Sequence, residues 1–283
     1  MAAAPEPGNG IDGLADKQKE DPMKPRERQQ EIISLLRAMQ RELSVEEIAS
    51  TFNTSPLTIR RDLDALAEKG AILRTYGGCI IRSMVGTAYQ KQVARNFKLK
   101  QAIGRMAAQL VKNGEVILID DGSTTFHLAA HLGDRAPITV VTNSIALIPE
   151  LARFPKIQLD ILGGTYNRDT NFLGGSLAER LLELRYFDAA FVGADAIDEA
   201  GRCLVRDASV ARLTQLMLKR ANRKFLLADH TKAGAHSYVI YGSLSDFDLW
   251  ITTPGIGAKR LAAYQKLTTI REAPEQERLE NGE

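Results

Sequence analysis

The stretch LSVEEIASTFNTSPLTIRRDLDALAEKGAILRTYGG, Leu43 to Gly78, decides how the rest of the chain is read. Leu43, Val45, Ile48, Ala49 and Phe52 recur at helical spacing after Ser44, and Glu47 stands three residues past that serine, the pattern of a capping box. Asn53 and Thr54 interrupt this short helix. Ser55-Pro56 then starts a second one, with an N-cap and a proline at the first helical position, where a missing N–H costs nothing. The second helix is predicted from Pro56 to about Lys69, with Leu57, Ile59, Leu63 and Leu66 inward. Thr58, Arg60 and Arg61 fall on its outer surface near the N-terminal end, where helix-turn-helix proteins place base-reading side chains. A guanidinium suits that position because it forks onto guanine acceptors or phosphate. After Gly70 a short apolar run leads into Arg74-Thr75-Tyr76-Gly77-Gly78, a hairpin composition with a basic tip that reads as a wing on the phosphate backbone. Ser55, Thr58, Arg60, Arg61, Arg74 and Tyr76 are therefore the candidate DNA contacts.

The competing reading is an amphipathic helical hairpin with solvated charges. The conjunction of capping box, Ser-Pro restart, TIRRDL and RTYGG favours the DNA reader. The segment TIRRDLDALAEKGAILRTYGG, 58 to 78, also resembles the winged helix-turn-helix of the DeoR family of bacterial transcription regulators.

With 283 residues, 44% hydrophobic and 25% charged, the chain has room for one small and one medium globular domain. A net charge of +2 argues for no polyanionic partner, but the distribution of charge says more. Between Ser83 and Arg105 stand Lys91, Arg95, Lys98, Lys100 and Arg105 with no acidic residue, which places positive charge just after the wing, where DNA would lie. The two cysteines, Cys79 and Cys203, lack a CxxC partner or a histidine cluster and read as buried thiols of a cytoplasmic protein. Residues 1–22 are rich in Ala, Pro, Gly and charge, an expected disordered tail and not a signal peptide. No apolar run is long enough to span a bilayer.

A helix from Pro25 to Arg41 completes the head, so residues 23–83 form the expected DNA-binding domain. SMVGTAYQKQVARN reads as a linker entering a helix from about Lys98 to Lys112. From there short β-branched runs alternate with helices: VILID (116–120), ITVVTN (138–143), IQLDILGG (157–164), FDAAFVGAD (187–195), KFLLAD (224–229) and FDLWITT (247–253). They are apolar on both faces, as strands of a mostly parallel sheet with helices on both faces should be. The expected class is α/β, a winged helix-turn-helix followed by an effector domain over 84–270, with a charged tail over 271–283.

In open α/β sheets ligands bind beyond the carboxyl ends of strands. VILID is followed by Asp121-Gly122-Ser123-Thr124-Thr125 and a helix from about Phe126, an anion site built of a glycine turn, hydroxyls and free helix N–H groups. Simple helix capping explains that motif alone equally well. The other endings shift the balance: Thr142-Asn143, Gly163-Gly164, Gly193-Ala194-Asp195 and Asp229-His230-Thr231-Lys232 each bring a polar group or a close-approach glycine. A lysine for a phosphate and Asp195 and Asn143 for hydroxyls make a small polyhydroxylated phosphate ester the expected ligand. His127 and His131, four apart, share a helix face, but without a third ligand they predict a solvated or capping role and no metal.

This half is also similar to the DeoR family, whose effector domain has a fold like the phosphosugar isomerases and carries a DSGTTT-type loop, a TN, a GG, a GADGID-type strand end and a DxSK-type segment. The resemblance runs from Met23 to Thr253, with matches at Asp120, Gly122, Ser123, Thr124, Thr125, Thr142, Asn143, Gly163, Gly164, Gly193, Asp195, Asp229 and Lys232. Asp121, Ala196 and Val210 depart from it, and Asp121 sets a carboxyl beside the loop. What the resemblance implies is a repressor of a carbohydrate or polyol catabolic operon, bound to double-stranded operator DNA as a homodimer or homotetramer and released by a phosphorylated sugar. No catalytic residue, cofactor or metal is expected. The alternative is a sugar-phosphate isomerase-like enzyme with an accessory DNA-binding domain.

Overall fold

The structure, a computed structural model, describes residues 23–39, 43–69, 71–74, 78–81 and 87–274. The head consists of α1 (Pro25–Met39), β1 (Leu43–Ser44), α2 (Val45–Thr51), α3 (Pro56–Glu68), β2 (Ile72–Arg74) and β3 (Gly78–Ile81). The Ser44–Glu47 capping box starts α2, and Ser55 with Pro56 starts α3. The three strands form an antiparallel sheet in the order β1-β3-β2. Ile32, Leu36, Ile48, Ile59, Leu63, Leu66, Ile72 and Cys79 are the buried centre of the head. Leu57, expected inside, is 57% exposed. It precedes Ile59 by two residues, about 200° of an α-helix, so the face that buries Ile59 turns Leu57 out.

An inward polar residue takes part in the packing of α3. Asp62 is buried and accepts from Arg28 Nε of α1 at 2.6 Å and from Gln29 Nε2 at 3.1 Å. The aspartate of the TIRRDL motif thus fastens α1 to the helix that carries the outward arginines.

The segment read as a linker holds a helix, α4 (Thr87–Ala94), followed by α5 (Phe97–Ala108). Among the described side chains of α4, Tyr89 and Val93 are buried, against Ala146 and Phe126, and two apolar positions in a polar stretch give no helical stripe to read. The large sheet then takes β4 (Val116–Ile119), β5 (Ile138–Thr142), β6 (Ile157–Ile161), β9 (Phe187–Val192), β12 (Ala221–Leu227), β14 (Leu249–Thr252) and β15 (Ile270–Glu272). All seven are parallel, in the order β15-β14-β12-β9-β4-β5-β6. The six runs read from the sequence supply six of these strands, and β15 carries the sheet past residue 270.

Both faces of the sheet are covered, as its apolar runs require. Leu118, Ala190 and Leu226 point to one core, and Ile117, Ile119, Phe191, Phe225 and Leu227 to the other. Shorter pieces complete the domain: the hairpin β7 (Thr165–Asn167) and β8 (Phe172–Gly174), and an antiparallel sheet of β10 (Ala196–Ile197), β11 (Arg202–Val205) and β13 (Val239–Ser243). Helices α6 (Phe126–Ala129), α7 (Leu147–Ala152), α8 (Ser176–Glu183), α9 (Ala208–Arg220) and α10 (Ala258–Tyr264) connect or cover the strands. From β4 the chain winds outward through β5 and β6, then returns to the other side of β4 as β9 and winds away through β12. The sheet changes direction between β4 and β9, the place where this architecture leaves a crevice.

Candidate functional site

Asp120 closes β4 at that crevice and joins its two sides. Its Oδ1 accepts from Gly122 N at 2.9 Å and from Thr125 Oγ1 at 2.5 Å, and its Oδ2 accepts from Gly193 N, at the end of β9, at 2.6 Å. The carboxylate is only 5% exposed and clamps the two strand ends together. Above it lies a cleft of about 350 Å³, whose walls include Asp121, Gly122, Ser123, Thr124, Asp195 and Lys232. Tyr89 and Gln92 of α4, Asn167, Asp169 and Thr170 of the β7–β8 hairpin, and Arg206, Asp207 and Val210 at the start of α9 complete it.

The loop does not work through a helix terminus as expected. α6 has only four residues, and the N–H groups of Phe126, His127 and Leu128 already donate to Gly122, Thr124 and Thr125 carbonyls. What the loop offers is closer to the glycine: among the described residues nothing accepts from the N–H groups of Ser123 and Thr124. Thr125 points away, its hydroxyl wholly buried on Asp120.

Beneath Ser123 sits Lys100, one of the five basic residues assigned to the DNA side. It is 3% exposed, and its ammonium donates to Ser123 Oγ at 2.9 Å and to the Gln92 carbonyl. Burial pushes it down to about 7, against the pull of Asp229. The signal was in the sequence: Phe97, Lys100, Ile103, Gly104 and Ala107 form the buried stripe of α5, and a lysine on an apolar stripe has a partner inside.

Asp121 lines the cleft, and Asn143, which does not, holds it from behind. Asn143 Nδ2 donates to Asp121 Oδ1 at 3.0 Å, which ties the end of β5 to the loop. Burial raises both adjacent carboxyls. Asp120 holds three donors that favour its charge, while Asp121, with that charge next to it, is pushed up to about 7. A carboxyl that is half protonated near neutrality repels an anion far less than the carboxylate read from the sequence. Asn143 Oδ1, Ser144 Oγ and the Tyr89 hydroxyl are buried here without a hydrogen-bond partner among the described residues. Burial also pushes the Tyr89 phenol up, so it stays neutral.

Lys232 also lines the cleft, at the end of the β12 loop, where Asp229 accepts from Thr231 N and Oγ1. The other Asp229 oxygen, Oδ2, is buried with no hydrogen-bond partner among the described residues. Asp195 accepts from Arg206 N at 3.1 Å. Gly163 and Gly164 are not among the residues that line the cleft. A Cβ on Gly164, at φ +132°, would lie 2.2 Å from the Gly174 carbonyl oxygen, so this glycine serves the approach of β7 to β8. Ala196 is fully buried in β10, and His230 turns to Thr253 Oγ1 at 2.9 Å. His127 is buried against the Val93 carbonyl at 3.2 Å and pushed down to about 3 by burial, so it is neutral. Among the described residues no three metal-ligating side chains come together.

On the head, Ser55 and Thr58 turn to each other, Oγ to Oγ1 at 2.8 Å, and cap α3. Arg60 and Arg61 are exposed, and Arg60 lies 3.9 Å from Glu46, a loose surface pair. The Arg74 side chain and Tyr76 lie outside the described residues.

The sequence matches two family descriptions, a DeoR-like helix-turn-helix domain over residues 28–84 and a DeoR C terminal sensor domain over residues 95–253. It is 34% identical over 232 residues to the HTH-type transcriptional regulator GlpR of Haloferax volcanii, covering 81% of this chain and 90% of that one. Against the HTH-type transcriptional repressor GlcR of Bacillus subtilis it is 33% identical over 216 residues, 74% and 81% of the two chains. The glycerol-3-phosphate regulon repressor of Escherichia coli is 31% identical over 228 residues, 80% and 90%. These relatives are named as regulators and repressors, which does not favour an isomerase-like enzyme. No helix among the described residues is long and apolar enough to cross a membrane. With a helix-turn-helix match over residues 28–84 and a sensor-domain match over 95–253, the chain belongs to the DeoR family of transcriptional regulators.

Proposed function

We propose that the protein represses an operon for carbohydrate or polyol use and leaves its operator when a small phosphorylated sugar or polyol fills the sensor cleft. The observation that carries this reading is the set of donors that line that cleft. Ser123 and Thr124 offer backbone N–H groups, Ser123 is held by a buried lysine, and Lys232 faces the same space. A tetrahedral oxyanion is the ligand such donors suit. Asp121, held by Asn143, and Asp195 also line it and supply acceptors for hydroxyls. The name of the glycerol-3-phosphate regulon repressor supports the same ligand class.

Release follows from differential affinity: the ester must bind better to an arrangement of subunits whose heads no longer match the operator half-sites. A homodimer or homotetramer is part of this reading, since heads of this kind work in pairs. The test is a thermal-shift screen of the full chain with sugar and polyol phosphates and their unphosphorylated parents. A ligand at about 100 times its Kd stabilises by roughly 2.7 kcal/mol. An ester should raise Tm without being consumed. Stabilisation by the parents alone would turn the ligand assignment over, and turnover would revive the enzyme.

A further inference from the structure

Lys100 belongs to two places at once. Its ammonium reaches Ser123 of the sensor loop and the carbonyl of Gln92, near the C-terminal end of α4. α4 is the first helix after the winged head, and α5, which carries Lys100, leads from it to the first strand of the large sheet. A second sensor side chain meets the next carbonyl of the same helix end, His127 Nε2 at 3.2 Å from Val93 O. Tyr89 of α4, itself a wall of the cleft, lies edge-on to Phe126 and brings a buried hydroxyl without a partner toward Ser144. The helix that enters the sensor from the head is therefore part of the effector site, and among the described residues Lys100 is the charged group that holds both.

We propose that Lys100 couples the two: an anion at Ser123 fixes Lys100 as an ammonium that donates to both the Ser123 hydroxyl and the Gln92 carbonyl, and so draws the end of α4 onto the loop. This rests on the phosphate-ester reading above. The chemistry is a proton and a hydrogen-bond exchange. An uncharged amine donates to Gln92 and accepts from the Ser123 hydroxyl, whereas an ammonium only donates. With a proton taken from solvent, Lys100 donates to Ser123 Oγ, and the serine hydrogen turns outward to the anion. Around the amine stand Arg95 at the end of α4, His127 on α6, Asp195 after β9, and Asp229 and Lys232 after β12. Burial holds the empty site down to about 7, so near neutrality the two forms are close in energy and an anion is enough to decide between them.

The experiment uses the full chain and the phosphate ester that stabilises the wild type most, chosen from a panel of pentose, hexose and polyol phosphates. Calorimetry at pH 8 in buffers of different ionisation enthalpy measures Kd and the protons taken up, and anisotropy of a labelled operator measures release. Wild type should take up close to one proton beyond that accounted for by the ester. Lys100→Arg, charged throughout, should lose that uptake while binding within about tenfold of wild type. Lys100→Met should bind at least tenfold more weakly and stay on the operator even at its own saturating ester concentration. Equal proton uptake in wild type and Lys100→Arg overturns the proposal, even where Lys100→Met does not fold. So does release of Lys100→Met at saturation to the same extent as wild type. If no ester in the panel binds the wild type, the ligand class itself falls, a result distinct from either of these.

Discussion

The head and the sensor cleft carry their chemistry in opposite ways. On α3 the outward residues owe their placement to neighbours within three positions: Ser55 and Thr58 cap the helix start, and Arg60 and Arg61 follow on the exposed surface. In the cleft the same kinds of groups meet only through the fold. Asp120 reaches Gly193 across 73 residues, Asn143 reaches Asp121 across 22, and Lys100 reaches Ser123 across 23. A surface built from local caps exposes charge to water and to DNA. A cleft built from distant strand ends buries charge, so its lysine and carboxyls move toward neutral forms that a ligand can shift.

The sharpest way to break the contrast is at the head's own buried exception. Asp62→Ala leaves Arg28 unpaired inside the head, and breaking a buried pair of this kind costs about 3–5 kcal/mol. Operator binding should be lost while ester-induced stabilisation of the sensor persists, as read by anisotropy and thermal shift. If the two are lost together, head and sensor do not unfold separately.

A second test uses the pH dependence that burial gives Asp121. Its folded value is raised from 3.8 to about 7, so the folded state binds more protons between those values, and stability falls as pH rises through that window. Against Asp121→Asn, whose side chain does not titrate, the wild type should be most favoured near pH 4. That advantage, on the order of a few kcal/mol, should be gone above pH 7. Urea midpoints of the two proteins across this range check it, and a constant difference would mean that Asp121 does not titrate there.

Smaller effects belong to the exposed side. Arg60→Ala or Arg61→Ala should weaken operator binding by about 1–3 kcal/mol without changing Tm. Unchanged binding in both removes α3 from base reading. Ser55→Ala removes the cap of α3 and should cost roughly 1 kcal/mol of head stability, with only an indirect effect on DNA. A much larger loss of operator affinity than of stability would make Ser55 a DNA contact as well.

The same difference explains what was legible in the sequence. The capping box, the Ser-Pro restart and the six apolar runs are periodic or local signals, and each gives the element found. β10, of two residues, the three-residue strands of the β7–β8 hairpin and β15, and the two-anchor helix α4 have too few residues to show a period. Within the cleft, Asp121, Gly122, Ser123, Asp195 and Lys232 were read from strand ends. Lys100 and Tyr89 were not, because their partners are fixed by a fold no local pattern displays. The polar exceptions on apolar stripes, Lys100 on α5 and Asp62 on α3, were the readable trace of that fold.

Operator release tests the account most directly. A labelled operator bound to the full-length wild type is titrated with a phosphorylated polyol or sugar and, separately, with its unphosphorylated parent, while anisotropy is followed. The phosphorylated compound should free the DNA at micromolar to millimolar concentration and the parent should not. Release by the parent at equal concentration, or DNA that stays bound under every ester that stabilises the sensor, would contradict it.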